Sequence, residues 1–108
     1  MSELDYLSKD ASLAEIQAYV KKVLDQRGLN SHTSAERIML LTEELGELAR
    51  GVRKHTLVKT SATTSSSNVA EEAADVLILL LDLCNHLEVN LYEAFIHKEK
   101  INQTRTWS

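Results

Sequence analysis

Apolar residues recur along this chain at three- and four-residue intervals, the period of a helix face and not the alternation of a strand. Leu13, Ile16, Val20, Val23 and Leu24 form one such stripe. Ser12 with Glu15 three residues on is a capping-box pattern, and Gly28 is a natural stop. The pattern predicts a first helix over about 12–27, with residues 2–9 adding a short helical turn before it. Ile38, Leu41, Leu45, Leu48 and Val52 mark the expected buried face of a second helix, over about 34–54. Arg50, Arg53, Lys54 and His55 gather at its end, where the helix dipole favours cations. Residues 59–68 have almost no apolar content and predict a surface loop. Asn68 with Glu71 reads as the N-cap pair of a third helix ending near Glu88. Asn90 with Glu93 caps a fourth, to about Thr104, with Leu91, Ala94, Phe95, Lys98 and Ile101 along it.

The third helix changes the picture. Val76, Leu77, Ile78, Leu79, Leu80 and Leu81 are consecutive, so they cover the whole circumference. The second helix can cover one face and the fourth another, which leaves a face for a partner subunit. The expectation is an all-α, four-helix bundle-like domain over residues 1–108, assembled as a homo-oligomer. Proline is absent and glycine occurs three times, so little interrupts the helices. With 44% hydrophobic residues but one Phe and one Trp, the core must be aliphatic.

Charge and cysteine narrow the function. A net charge of −4 argues against a nucleic-acid polymer as partner. A lone Cys84 in an apolar run gives no disulfide framework and reads as core, with a reducing cytoplasm as the expected location. The opening MSELDYLSKD lacks the apolar core of a signal peptide, and no apolar run is long enough for a membrane span.

The chemistry lies in two acidic groups. Glu43-Glu44-Leu45-Gly46-Glu47 is in the second helix and Glu71-Glu72-Ala73-Ala74-Asp75 opens the third. Residues three apart share a helix face, so Glu44 and Glu47 point together, as do Glu72 and Asp75. On antiparallel neighbours the four carboxylates converge. Two like charges about 4 Å apart repel by about 4 kcal/mol at an effective dielectric of 20, and a hard divalent cation relieves this. Oxygen-only ligation suits Mg²⁺, with Mn²⁺ as a substitute. Acidic residues near helix starts are also ordinary solvated residues. The matched spacing of the two pairs, their adjacency to apolar stripes and the small Gly46, Ala73 and Ala74 around them favour the site.

Glu-Glu-x-x-Glu, a spacer of some two dozen residues and Glu-x-x-Asp is similar to the signature of the all-α NTP pyrophosphohydrolases. That superfamily includes MazG, dimeric dUTPases, dCTP pyrophosphatases and phosphoribosyl-ATP pyrophosphohydrolases. The wording Leu41-Thr-Glu-Glu-Leu-Gly-Glu-Leu48 and Glu71-Glu-Ala-Ala-Asp-Val-Leu77 looks most like MazG, and Lys98-x-x-x-Asn102 with Arg105 resembles the family's C-terminal phosphate-facing element. The resemblance covers about residues 12–107. It implies that Glu44, Glu47, Glu72 and Asp75 are metal ligands and that Glu43 is an auxiliary acid. It places Lys98, Asn102 and Arg105 on the phosphates, and Gln17 and His32 in regions like the base pocket, while Trp107 near the C-terminus could stack on a base or equally pack on the bundle. The implied reaction is nucleoside triphosphate plus water to monophosphate plus pyrophosphate, in a role of nucleotide-pool sanitation. A tetramer of two tight dimers is favoured over a dimer, with the site completed near a subunit interface.

Asp82 and His86, four apart, could ligate a metal but are expected to form a hydrogen-bonded or exposed pair. A ferritin-like di-iron site needs Glu-x-x-His pairs, which the sequence lacks. The competing reading is a non-catalytic helical interaction module on the same scaffold. The full set of acids with Lys98 and Asn102 favours the enzyme.

Overall fold

The first long helix begins at its expected cap. In the computed structural model, which describes residues 3–57 and 66–105, Ser12 Oγ accepts from the Glu15 amide and a Glu15 carboxylate oxygen accepts from the Ser12 amide, both at 3.1 Å. These bonds satisfy two amides that a helix start leaves open. A 3-10 turn, Glu3–Tyr6, precedes it. α1 runs Leu13–Gln26, and Gly28 at φ 71° turns the chain out, with the Leu29 amide donating to the Leu24 carbonyl at 2.9 Å.

α2, Ser34–Leu57, opens on a second reciprocal box, Thr33 with Glu36, at 3.1 and 2.8 Å. It continues three residues past the expected end at Lys54. α3, Ser66–His86, starts before Asn68, so Asn68 lies inside the first turn and does not cap it. Most of the expected loop lies outside the described residues. α3 stops short of Glu88, which takes a left-handed φ of 57° while the Val89 amide donates to the Cys84 carbonyl at 2.8 Å. α4, Leu91–Thr104, is capped by Asn90, whose Oδ1 accepts from the Glu93 amide at 3.0 Å.

α2 and α3 form an antiparallel hairpin. Arg37 meets Asp82, Glu44 meets Glu72, and Gly51 lies beside Val69, so position rises on one helix as it falls on the other. The better covered positions on α2 include Arg37, Leu41, Glu44, Leu48 and Gly51. Their alternating spacing of four and three is that of a helix-pair seam. α1 covers another face of α3, with Val20, Leu24 and Leu81 at the centre and Leu13, Ile16, Tyr19 and Leu91 around them.

Two expectations change here. The stripe Ile38, Leu41, Leu45, Leu48, Val52 is not buried as a face, because the hairpin pairs through positions rotated from its centre. Ile38, Leu45 and Val52 are 47%, 55% and 43% exposed. Nor does α4 cover α3 along its length: among the described residues it packs chiefly against α1, and its first residue, Leu91, reaches the cluster around Leu81. The bundle is therefore open within one chain. Its radius of gyration is 16.6 Å, against about 13 Å for a compact chain of this length. Leu77 and Ile78 remain 39% exposed, which leaves the uncovered face of α3 that the apolar run implies.

Buried polar side chains lock the far end of the hairpin. Arg37, 4% exposed, donates from Nε to Asp82 at 3.1 Å, from Nη2 to the Asn30 carbonyl at 3.2 Å, and from Nη1 to the His32 carbonyl. His86 Nδ1 lies 3.0 Å from the same Nη1 and, since guanidinium only donates, must accept. Asp82 and His86 are thus a hydrogen-bonded group around Arg37. The Gln17 amide donates to Asn85 Oδ1 at 3.0 Å and to the Val89 carbonyl at 2.7 Å, and accepts from the Leu91 amide at 3.1 Å. That side chain fixes the α3–α4 turn.

Removing one member of a buried ion pair leaves the other charged and unsolvated. Asp82→Ala should therefore cost about 3–5 kcal/mol in urea unfolding, while the double variant Arg37→Met/Asp82→Leu recovers most of the loss. Equal losses in both variants would show that the charge pairing is not what Asp82 supplies.

Candidate metal and phosphate site

The seam that joins α2 to α3 carries carboxylates in its middle. Glu44 and Glu72 are half-buried where the helices meet, and Asp75, one turn along α3, is exposed. One carboxylate oxygen from each of the three lies within 4.8 Å of the others. Two helices thus bring together residues nearly thirty positions apart. Glu47 is exposed beside them, and Glu43 is exposed outside the convergent trio.

Crowding has a measurable consequence. A hydrogen bond with the Glu72 carboxyl, above all, lifts Glu44 above the ordinary carboxylate value, helped by desolvation and by the charges of Asp75, Glu72 and Glu47. A carboxyl–carboxyl hydrogen bond requires a proton that neutral water does not readily supply. A divalent cation can replace that proton, and three or four carboxylates are a fitting oxygen donor set for a hard ion.

Next to the acids lies an open cleft of about 280 Å³, lined by Glu47, Arg50, Gly51, Lys54, Asn68 and Glu72. Residues 47, 50, 51 and 54 share one face of α2 by their spacing of three and four. Arg50 and Lys54, which the sequence alone suggests only as complements to the helix dipole, are therefore neighbours of the acidic trio. The same spacing, continued from Glu47, is the signal that could have found them.

The other expected site residues lie elsewhere. Lys98 and Asn102 are on α4, which rests on α1 and does not bring them to the acids within one chain. The Asn102 amide donates to Glu99 at 3.1 Å, and Arg105 is the C-cap residue of α4. Gln17 is 8% exposed with its amide occupied at the α3–α4 turn, and the His32 carbonyl serves Arg37. Trp107 lies outside the described residues. Cys84 is buried, and desolvation raises its thiol pKa, as suits a core residue and not a nucleophile.

Because the folded pKa of Glu44 is raised, its favourable contribution to folding is present at acidic pH and is lost as pH rises through that value. At neutral pH without cation, the crowded anion opposes folding. Glu44→Gln should accordingly melt higher than the parent chain in chelator at neutral pH, and the gap should close on acidification. A gap that does not vary with pH contradicts the crowding argument.

Comparison with known proteins agrees with this geometry. Residues 32–105, which span both acidic groups, match the MazG nucleotide pyrophosphohydrolase domain. The chain is 34% identical over 103 residues to "Uncharacterized protein YpjD" of Bacillus subtilis (strain 168), covering 92% of this chain and 93% of that protein. It is also 34% identical over 98 residues to a dATP/dGTP diphosphohydrolase of Cyanophage S-2L, covering 91% of this chain and 80% of that protein. No solved structure matches. The acids, the helices that carry them and the span of the match lead to one conclusion: the chain belongs to the MazG nucleotide pyrophosphohydrolase family.

Proposed function

We propose that this chain is a Mg²⁺-dependent nucleoside triphosphate pyrophosphohydrolase, releasing monophosphate and pyrophosphate. The observation that carries the reading is the convergence of Glu44, Glu72 and Asp75 across the α2–α3 seam. Family membership supports it, as does similarity to a phage protein named as a dATP/dGTP diphosphohydrolase. That name makes purine deoxynucleoside triphosphates the first substrates to test. Sanitation of the cytoplasmic nucleotide pool is the role in which such a reaction fits.

On this reading Glu44, Glu47, Glu72 and Asp75 hold the cation, for which Mn²⁺ can substitute. When bound, Mg²⁺ supplies charge neutralisation at the triphosphate and a lower pKa for water. The α-phosphorus–oxygen bond to the β-phosphate breaks as water oxygen bonds to the α-phosphorus. A carboxylate not fully used in ligation accepts the water proton, and Glu43 is the auxiliary acid. Lys98, Asn102 and Arg105 reach phosphates from a second copy of the chain, since α4 does not bring them to the acids of its own. His32 and Trp107 remain assigned to the base side. Gln17, with its amide already occupied, is assigned to the turn.

Exposed apolar residues support assembly. Ile38, Leu45 and Val52 recur every seven residues on α2, and Phe95 on α4 is 58% exposed. At about 25 cal/mol per Å², leaving several such side chains wet costs a few kcal/mol, a large part of a small domain's stability. A homo-oligomer covers them, with a tetramer of paired dimers favoured.

Glu47→Gln or Asp75→Asn should abolish Mg²⁺-dependent release of pyrophosphate from dATP or dGTP while helical circular dichroism is retained. Full activity in either variant removes that residue from the ligand set, and release of orthophosphate alone overturns the reaction class. Light scattering at micromolar concentration should give at least twice the 12.1 kDa chain mass. An active monomer would refute both the packing argument and the shared site.

A further inference from the structure

We infer that Arg50 and Lys54 form a subsite for the terminal phosphates of the substrate, the part that leaves as pyrophosphate. The inference rests on the proposed pyrophosphohydrolase reading and adds the direction in which the triphosphate lies.

The charges along the hairpin are graded. Glu44, Glu72 and Asp75 form one end, Glu47 follows, and Arg50 and Lys54 lie beyond on the same face of α2. At 1.5 Å per residue, Arg50 is about 9 Å along the helix from Glu44, and Lys54 about 15 Å. Both side chains are long enough to reach back towards the acids. Neither forms a hydrogen bond or ion pair with another described residue, although Glu47 and Glu72 line the same cleft. On the opposite side of the acids, one turn away, lie Leu41 and Ile78, both apolar and Ile78 39% exposed.

Size and chemistry select the occupant. Pockets that enclose a drug-sized ligand run to about 300–1,000 Å³ and are mostly apolar. This cleft is open, about 280 Å³, and among the described residues it is lined by charged and amide side chains and Gly51, with no ring for a base to stack on. It suits a short anionic chain bridged to a cation at the acidic end. Arginine matches phosphate oxygens bidentately and lysine supplies a point charge. During hydrolysis the electron pair of the breaking α–β bond stays with the β-phosphate oxygen. Cations placed there oppose the charge as it grows and hold the departing product.

Inorganic pyrophosphate with Mg²⁺ is the probe, measured by calorimetry and as a product inhibitor of dATP hydrolysis. The Arg50→Ala/Lys54→Ala variant should bind it at least about tenfold more weakly, the loss of a charged hydrogen bond or more. KM for the triphosphate should rise, while inhibition by dAMP and the thermal shift caused by Mg²⁺ alone stay as in the parent. The conservative Arg50→Lys/Lys54→Arg variant should keep most of the pyrophosphate affinity. Unchanged pyrophosphate binding in the alanine variant, or equal weakening of pyrophosphate and dAMP, overturns the subsite. So does a parent chain that binds no pyrophosphate. If the parent binds pyrophosphate through these two residues but releases none from any triphosphate, the subsite stands and the hydrolytic reading fails.

Discussion

The placement of like-charged carboxylates inside the α2–α3 seam is the constraint from which the rest of the structure follows. Seam positions ordinarily hold apolar residues, because each side chain there faces the opposite helix. Glu44 and Glu72 occupy such positions and meet each other. Farther along the same seam, Arg37 and Asp82 also meet, and there the charges are opposite and the hydrogen bonds complete. One end of the hairpin is settled by its own residues. The middle is left with excess negative charge that only a proton or a cation from solution can relieve. Such a local departure from good packing is what a binding site requires of a fold, and it is tolerated because the flanking contacts fix the two helices in register.

Much of this was legible in the sequence. Two caps, the four long helices and the acidic pairs all follow from local chemistry: a hydroxyl or side-chain amide three residues before a glutamate, a period of 3.6, carboxylates three apart. The actual seam was not legible. Apolar residues at 38, 41, 45, 48 and 52 describe a broad stripe, and sequence alone does not say which edge of it faces a neighbour within the chain. The decision was made by Arg37, a residue outside the stripe, whose buried guanidinium needed Asp82 and two loop carbonyls. Gln17 was similarly opaque: a buried amide in an apolar stripe is understood only when its partners at 85, 89 and 91 are known. The position of α4 was missed because its apolar residues, including Tyr92, Phe95 and Ile101, suit any partner, and it rests on α1 with none of them buried.

Rotation of the seam has a further effect. By turning Ile38, Leu45 and Val52 away from α3, it leaves α2 with two working faces: one that holds the acids against α3 and one with an apolar repeat of seven residues. A second helix laid on that repeat would pack by the same geometry that joins α2 to α3. On the proposed assembly, the helix that supplies Glu44 and Glu47 also supplies contacts between chains. A displacement at the interface would then be felt at the acids without any loop as intermediary.

Where a cation sits relative to the acids decides what it can sense. Arg50 and Lys54 share a helix with Glu44 and Glu47, so their spacing from a bound ion is set by helical rise and does not vary with the state of assembly. Lys98 and Asn102 are on α4, which among the described residues packs chiefly against α1. On the proposed reading, their approach to the acids comes from the packing of another copy. The two basic groups therefore carry different information on the proposed reading. The pair on α2 is a constant part of the site, present in any folded chain. The proposed group on α4 is conditional, so on this reading a substrate that needs both is turned over by the assembled protein. On that reading the apolar surface left open on α2 and α4 supplies the energy for assembly, so that burial of those faces and completion of the phosphate site are one event.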